Sequence, residues 1–130
     1  MEIAFYKEDE KVNHELFSTI AKEWAKKLAE EQERYPSVNK RTQFRQFYDE
    51  VLRLDAEVKR FPEKWDDILP AIHMLSAKAA YANGRKLVSK TFMTFIQSSI
   101  EKIDKPKDFQ IFASFFEALM GFYRLYGPSN

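Results

Sequence analysis

Few residues in this chain are placed for catalysis. Its only histidines, His14 and His73, fall on different segments, and neither stands three residues after a glutamate. The Glu-x-x-His pair that holds metal in di-iron bundles is therefore missing, as is the two-histidine helix motif of the zinc proteases. Without cysteine there is no thiolate for a zinc site and no disulfide. Three scattered glycines form no phosphate loop. The pairs Asp66-Asp67 and Asp49-Glu50 read as a helix cap and a solvated face rather than as an acid and a base. His73 lies in a mostly apolar segment, where a packed or hydrogen-bonded core histidine is the expectation. No catalytic residue, cofactor or metal is expected, and the chain does not read as an enzyme.

The residues that recur at chemically useful spacing are basic. Arg41 and Arg45 are one helical turn apart, so both guanidinium groups can address successive phosphates with paired donors. Lys40 precedes them, Arg53 continues the same side, and Thr42 and Gln43 add neutral donors. Lys78 and Arg85 are seven residues apart, two turns, and Arg85-Lys86 follow Gly84. The candidate nucleic-acid contacts are thus Lys40, Arg41, Arg45, Arg53, Lys78, Arg85 and Lys86. No segment carries side chains spaced for reading bases, so the expected chemistry is backbone gripping without sequence preference. The competing reading is ordinary surface ion pairing, for instance Arg45 with Asp49 at i,i+4.

Five helical segments must position these groups. The first follows Asn13, a cap residue, and runs to about Arg34, with Leu16, Ile20, Trp24 and Leu28 recurring four apart. The second spans roughly Val38 to Arg60 and stops before Pro62. Along it Phe44, Phe47, Val51, Leu54 and Val58 share an arc of about 80°, opposite the arginines. The third is capped by Asp66 or Asp67, carries Pro70 in its first turn and ends at Asn83-Gly84 in a left-handed cap. Apolar residues surround it (Ile72, Leu75, Ala79 and Ala82 on one side, Met74, Ala77 and Tyr81 on another), which predicts a central, buried helix. A fourth covers about Lys86 to Ile103. A fifth, capped by Asp104, runs from Pro106 to Gly127 and is so rich in Phe and Tyr that it is either the centre of the bundle or covered by another subunit. The fold class is all-α, a compact bundle of about five helices, as a single domain over residues 1–130 with 1–12 as a short N-terminal arm.

Composition agrees with that outline. In 130 residues the chain holds 45% hydrophobic and 15% aromatic residues, enough for a substantial core. No stretch approaches the roughly 18 consecutive apolar residues of a membrane span, and the first eleven residues lack a signal-peptide pattern. A cytoplasmic protein is expected. The net charge of +1 conceals a segregation. Residues 1–33 carry nine acidic and five basic side chains, whereas 34–100 carry seven acidic and twelve basic. Binding responds to the local field rather than to the total.

Three stretches then resemble a known family. They are Thr42-Gln43-Phe44-Arg45-Gln46-Phe47-Tyr48-Asp49-Glu50-Val51-Leu52, Leu69-Pro70 through Ala77-Lys78-Ala79-Ala80-Tyr81-Ala82-Asn83-Gly84-Arg85, and Phe115-Phe116-Glu117-Ala118 through Tyr123-Arg124. In order and spacing they resemble the small subunit of the type III-A (Csm) CRISPR effector complex, an antiviral ribonucleoprotein. The first 35 residues match only in helical character, and His73 and Ser76 stand where the resemblance leads one to expect lysine. The resemblance implies several copies stacked along the inside of a filament, beside the guide-bearing subunits. It implies contact with the phosphates of the guide–target RNA duplex, mainly the target strand, and cleavage by other subunits. Its implied partners are guide RNA, target RNA, the other Csm subunits and further copies of itself, along a filament or as a homodimer. Lys40 or Arg41, Arg45, Lys78 and Arg85 are the implied contacts, with Arg124 a further candidate unless it pairs with Glu117. The alternative is a protein–protein adaptor that uses the apolar C-terminal helix and makes no contact with nucleic acid.

Overall fold

The computed structural model describes residues 1–129, and among them the regular structure is entirely helical. Helix α1 spans Thr19–Arg34, α2 Arg41–Arg60, α3 Trp65–Gly84, α4 Lys90–Ile100 and α5 Pro106–Tyr126. Proline sets two of the breaks: Tyr35 and Phe61, each preceding one, adopt extended φ near −130° and end α1 and α2. Asn13 does act as a cap, but of a short 3-10 turn, His14–Phe17, that leads into α1. Its Oδ1 accepts from the Glu15 amide, while its Nδ2 donates to the Ala4 carbonyl at 2.9 Å. The N-terminal arm is thereby folded back, with Ile3 and Phe5 buried. Its Tyr6 hydroxyl donates to Asp108 at 2.5 Å.

Helix α5 is the centre of the bundle. It packs most extensively on α1 and then on α2, while α3 packs on α4 and α2. Phe109, Phe112, Phe115, Phe116, Leu119 and Tyr123 are all fully buried. They meet rings from other helices: Phe95 lies 5.1 Å from Phe115 and 5.4 Å from Phe116, and Phe44 lies 4.8 Å from Tyr123. Offset and edge-on ring pairs add about 0.5–1.5 kcal/mol each beyond the area they bury. The aromatic content is therefore the core itself.

Several expectations are corrected. Helix α3 is not central: Ile68, Ile72, Leu75, Ala79 and Ala82 face the core, while His73, Met74, Ala77, Ala80 and Tyr81 face outward. Among the described residues it packs chiefly on α4 and α2, and its second apolar side is left exposed. His73 is accordingly exposed rather than a core histidine. Gly84 is not left-handed; the turn after α3 is made by Lys86 at φ 61°, and α4 begins only at Lys90, capped by Ser89. At α5 the cap is not Asp104 but Asp108, whose Oδ2 accepts from the Asp104 and Lys105 amides at 2.9 and 3.2 Å. Likewise Asp66 and Asp67 stand inside the first turn of α3, where a carboxylate favours the helix dipole without capping it.

Candidate nucleic-acid interface

Helix periodicity places Arg41, Arg45 and Arg53 on one side of α2, but its neighbours divide them. Helix α5 lies along one flank of α2 and α3 along the other. The result is two clefts separated by α2 rather than one continuous basic face.

The first cleft, about 690 Å³, lies between α2 and α5. Arg41, Thr42, Arg45 and Tyr48 line it from α2, and Met120, Gly121, Tyr123 and Arg124 from α5. Among the described residues no carboxylate side chain lines it. Among the described residues Arg45 makes no ion pair, so the anticipated bridge to Asp49 does not form, nor does one from Arg124 to Glu117. The Arg41 guanidinium donates to the carbonyls of Ser129 and Pro128, at 3.1 and 3.5 Å. Burial raises the Tyr48 hydroxyl above its ordinary pKa, Glu117 adds to that effect and Arg45 opposes it. Helix α2 also begins without a side-chain cap, at Lys40, and has no acidic residue in its first turn. Lys40, Arg41 and the free amides thus concentrate positive potential at the mouth of the cleft, where an anion is favoured.

The second cleft, about 610 Å³, lies between α2 and α3 and contains Arg53, Lys78 and Arg85. Here two candidates are already engaged. Glu50 accepts from Arg53 at 2.6 Å and from Lys78 at 3.1 Å, and Arg53 reaches Glu57 at 3.2 Å. The Arg53 hydrogen bond holds the Glu50 carboxyl below the usual range, with Lys78 contributing in the same direction against partial burial. The same pairing raises the Arg53 guanidinium. Arg85 is different: its guanidinium lies 5.7 Å from the centroid of the Tyr81 ring, and it forms no ion pair among the described residues.

The last two candidates line neither cleft. Lys40 is exposed at the start of α2. Lys86, left-handed and exposed, borders a shallow depression with Tyr35 and Asn83, away from both clefts. Tyr48, Gly121 and Tyr81 are cleft residues that sequence reasoning did not single out. Tyr81 was visible only as part of an apolar pattern, and nothing local indicates that this side of α3 is open. Among the described residues no three His, Asp or Glu side chains gather as metal ligands, and no helix is long and apolar enough to cross a membrane.

Fold and clefts together define a small all-α bundle with cationic surface grooves. The family model for Csm2 Type III-A matches residues 11–129, and the chain belongs to that family. It is a small subunit of the type III-A CRISPR effector complex, a structural component whose partners include the other Csm subunits. The match spans all three stretches that carried the resemblance. No curated protein and no solved structure matches the chain.

Proposed function

We propose that this subunit is non-catalytic, lines the inner filament of a cytoplasmic type III-A effector and grips the phosphate backbone of the guide–target RNA duplex without sequence preference. One observation carries the reading: Arg41, Arg45 and Arg124 converge on a cleft that, among the described residues, no carboxylate side chain lines. These arginines come from two facing helices, so their separation is set by packing rather than by flexible loops. Guanidinium groups there find phosphate oxygens as partners without displacing an existing ion pair of Arg45 or Arg124. A single copy offers few phosphate contacts, and repetition along a filament raises the effective affinity.

The adaptor alternative loses its chief support. The apolar residues of α5 are mostly enclosed in the chain's own core, leaving Leu125 as its large exposed hydrophobic side chain. Contacts with neighbouring subunits are better served by the outward side of α3, which shows Met74 at 53% exposure beside exposed Ala77 and Ala80.

The test is a titration of single-stranded RNA and of a guide–target duplex with wild type and an Arg41→Ala/Arg45→Ala variant over a range of salt. Each phosphate contact contributes about 0.7 to the salt slope on single strands. The double variant is expected to bind more weakly with a slope shallower by about 1.4. Unchanged affinity and slope in a folded double variant would move the backbone contact elsewhere. Where the isolated chain binds too weakly to titrate, the same comparison is made on the reconstituted complex.

A further inference from the structure

The two clefts flanking α2 differ in chemistry, and the difference is informative. The α2/α5 cleft presents arginines and, among the described residues, no carboxylate side chain, which suits a phosphate. The α2/α3 cleft contains Asp49 and a Glu50 that already occupies Arg53 and Lys78, over a floor of Phe47, Leu75 and Leu87. Its rim holds Tyr81, 67% exposed, with the Arg85 guanidinium 5.7 Å from the ring centroid. Across the groove, α2 offers the neutral amides of Gln43 and Gln46. A flat, uncharged ligand with hydrogen-bonding edges meets every one of these groups favourably.

We infer that the α2/α3 groove is a nucleobase site, in which an unpaired RNA base stacks on Tyr81 while Gln43, Gln46 and Asp49 meet its polar edge. The inference rests on the reading of the α2/α5 cleft as a phosphate site. Thr42 lines one cleft and Gln43 the other, so the N-terminal half of α2 is the only wall between them. A strand held by Arg41 and Arg45 crosses α2 there and arrives at Tyr81. Amides present both a donor and an acceptor and discriminate little among bases, and a phenol ring stacks on any of them. Arg85 serves twice, extending the stacked surface and balancing Asp49 for the phosphate that follows the base. Large exposed aromatic side chains beside a guanidinium are the usual platform for unpaired bases.

The experiment uses the full chain with two probes. The first is a short single-stranded RNA carrying one 2-aminopurine, whose fluorescence falls on stacking. The second is adenosine, which has a base and no phosphate. Wild type and Tyr81→Phe are expected to quench 2-aminopurine, and Tyr81→Ala is not. Tyr81→Ala is expected to weaken RNA binding about 5- to 100-fold with no change in salt slope. Millimolar adenosine is expected to shift the Tyr81 ring resonances, independently of salt and equally in the Arg41→Ala/Arg45→Ala variant. That last comparison separates the two sites, because failure of the phosphate reading leaves the adenosine shift intact. Unperturbed Tyr81 resonances with adenosine, or full RNA affinity and quenching in Tyr81→Ala, would overturn the inference. So would a Tyr81→Ala variant that binds RNA normally but no longer joins the complex, which would assign Tyr81 to a protein neighbour.

Discussion

The Tyr123 hydroxyl donates a 2.6 Å hydrogen bond to the backbone carbonyl of Asn39. Both residues are fully buried, and Asn39 holds the left-handed φ of 62° between α1 and α2. Its side-chain amide donates to the Leu28 carbonyl and to Ser89 Oγ, and its Oδ1 accepts from the Ser89 amide at 2.8 Å. One residue therefore joins the end of α1, the turn before α4 and the C-terminal part of α5. Since Lys40 and Arg41 follow directly, this knot also fixes where the cationic end of α2 points.

Removing the hydroxyl tests the knot. Tyr123→Phe keeps the ring 4.8 Å from Phe44 but leaves a buried carbonyl without its partner. The expected cost is about 1–3 kcal/mol, read as a fall of several degrees in Tm. Asn39→Gly keeps the backbone conformation available while deleting three side-chain hydrogen bonds, and should cost more than Tyr123→Phe. A Tm within one degree of wild type for both variants would show that the knot is not a stabilising element.

Much of this fold is legible in the sequence because its signals are local. The residues before Pro36 and Pro62 end α1 and α2, and the four-residue recurrence of Ile20, Trp24 and Leu28 marks a buried stripe. The failures are non-local. Alanine and methionine fit an exposed or a buried side of α3 equally, so Met74 and Ala77 cannot report that theirs is left exposed. Asp104 and Asp108 are both plausible caps on local grounds, and the arm that brings Tyr6 to Asp108 favours the latter. Asn39 is invisible because its partners are 11, 50 and 84 residues away. The basic residues themselves are legible, but helix angle alone joins Arg45 and Arg53, whereas packing with α5 and α3 parts them.

Glu50 gives a prediction about charge. It engages both Arg53 and Lys78, so Glu50→Gln frees Lys78 into the α2/α3 cleft and leaves Arg53 with Glu57 alone. RNA affinity is expected to rise about two- to fivefold, with a salt slope steeper by about 0.7. Stability should change by less than about 1 kcal/mol, since the pairs are solvent-exposed. Because the Glu50 carboxyl is held below its ordinary range, whatever the pairs contribute is present near neutrality and is lost as pH falls through that lowered pKa. Weaker RNA binding by Glu50→Gln would mean that the paired arrangement, rather than the freed cation, forms the contact.

Gly121 separates stability from binding. It lies inside α5 with no positive φ, and a methyl group added there meets nothing within 4 Å. Gly121→Ala should therefore stabilise the chain by about 0.5–1 kcal/mol through helix propensity. Yet Gly121 lines the arginine cleft, where a side chain intrudes on the approaching backbone. A raised Tm with weakened RNA binding is expected, and weakening is greater for Gly121→Leu. A Gly121→Leu variant that binds RNA as wild type does would exclude this part of α5 from the contact.

Tyr6 makes the docking of the N-terminal arm sensitive to alkali. Burial, together with the hydrogen bond to Asp108, raises its pKa to about 12. A phenol whose folded pKa is raised stabilises the fold fully below its unfolded value, near 10, and loses that contribution as pH rises toward 12. Wild type should therefore lose stability between about pH 10 and 12 by a step that is absent in Tyr6→Phe. At neutral pH Tyr6→Phe should cost roughly 1–2 kcal/mol, as for a hydrogen bond to a charged acceptor. Parallel alkaline titrations of the two proteins would show that the arm is anchored elsewhere.

The contact between Arg41 and the C-terminal segment predicts competition. The Pro128 and Ser129 carbonyls accept from the same guanidinium nitrogen that the α2/α5 cleft offers to a phosphate. A neutral carbonyl is the weaker acceptor, so phosphate should displace it, at the cost of the hydrogen bonds already made. Deleting residues 128–130 removes that cost and should tighten RNA binding about fivefold, the equivalent of about 1 kcal/mol. The effect should vanish in an Arg41→Ala background, which distinguishes competition at Arg41 from a general opening of the cleft. Weaker binding after the deletion would give the segment the opposite role: it would be orienting Arg41 for phosphate rather than occupying it.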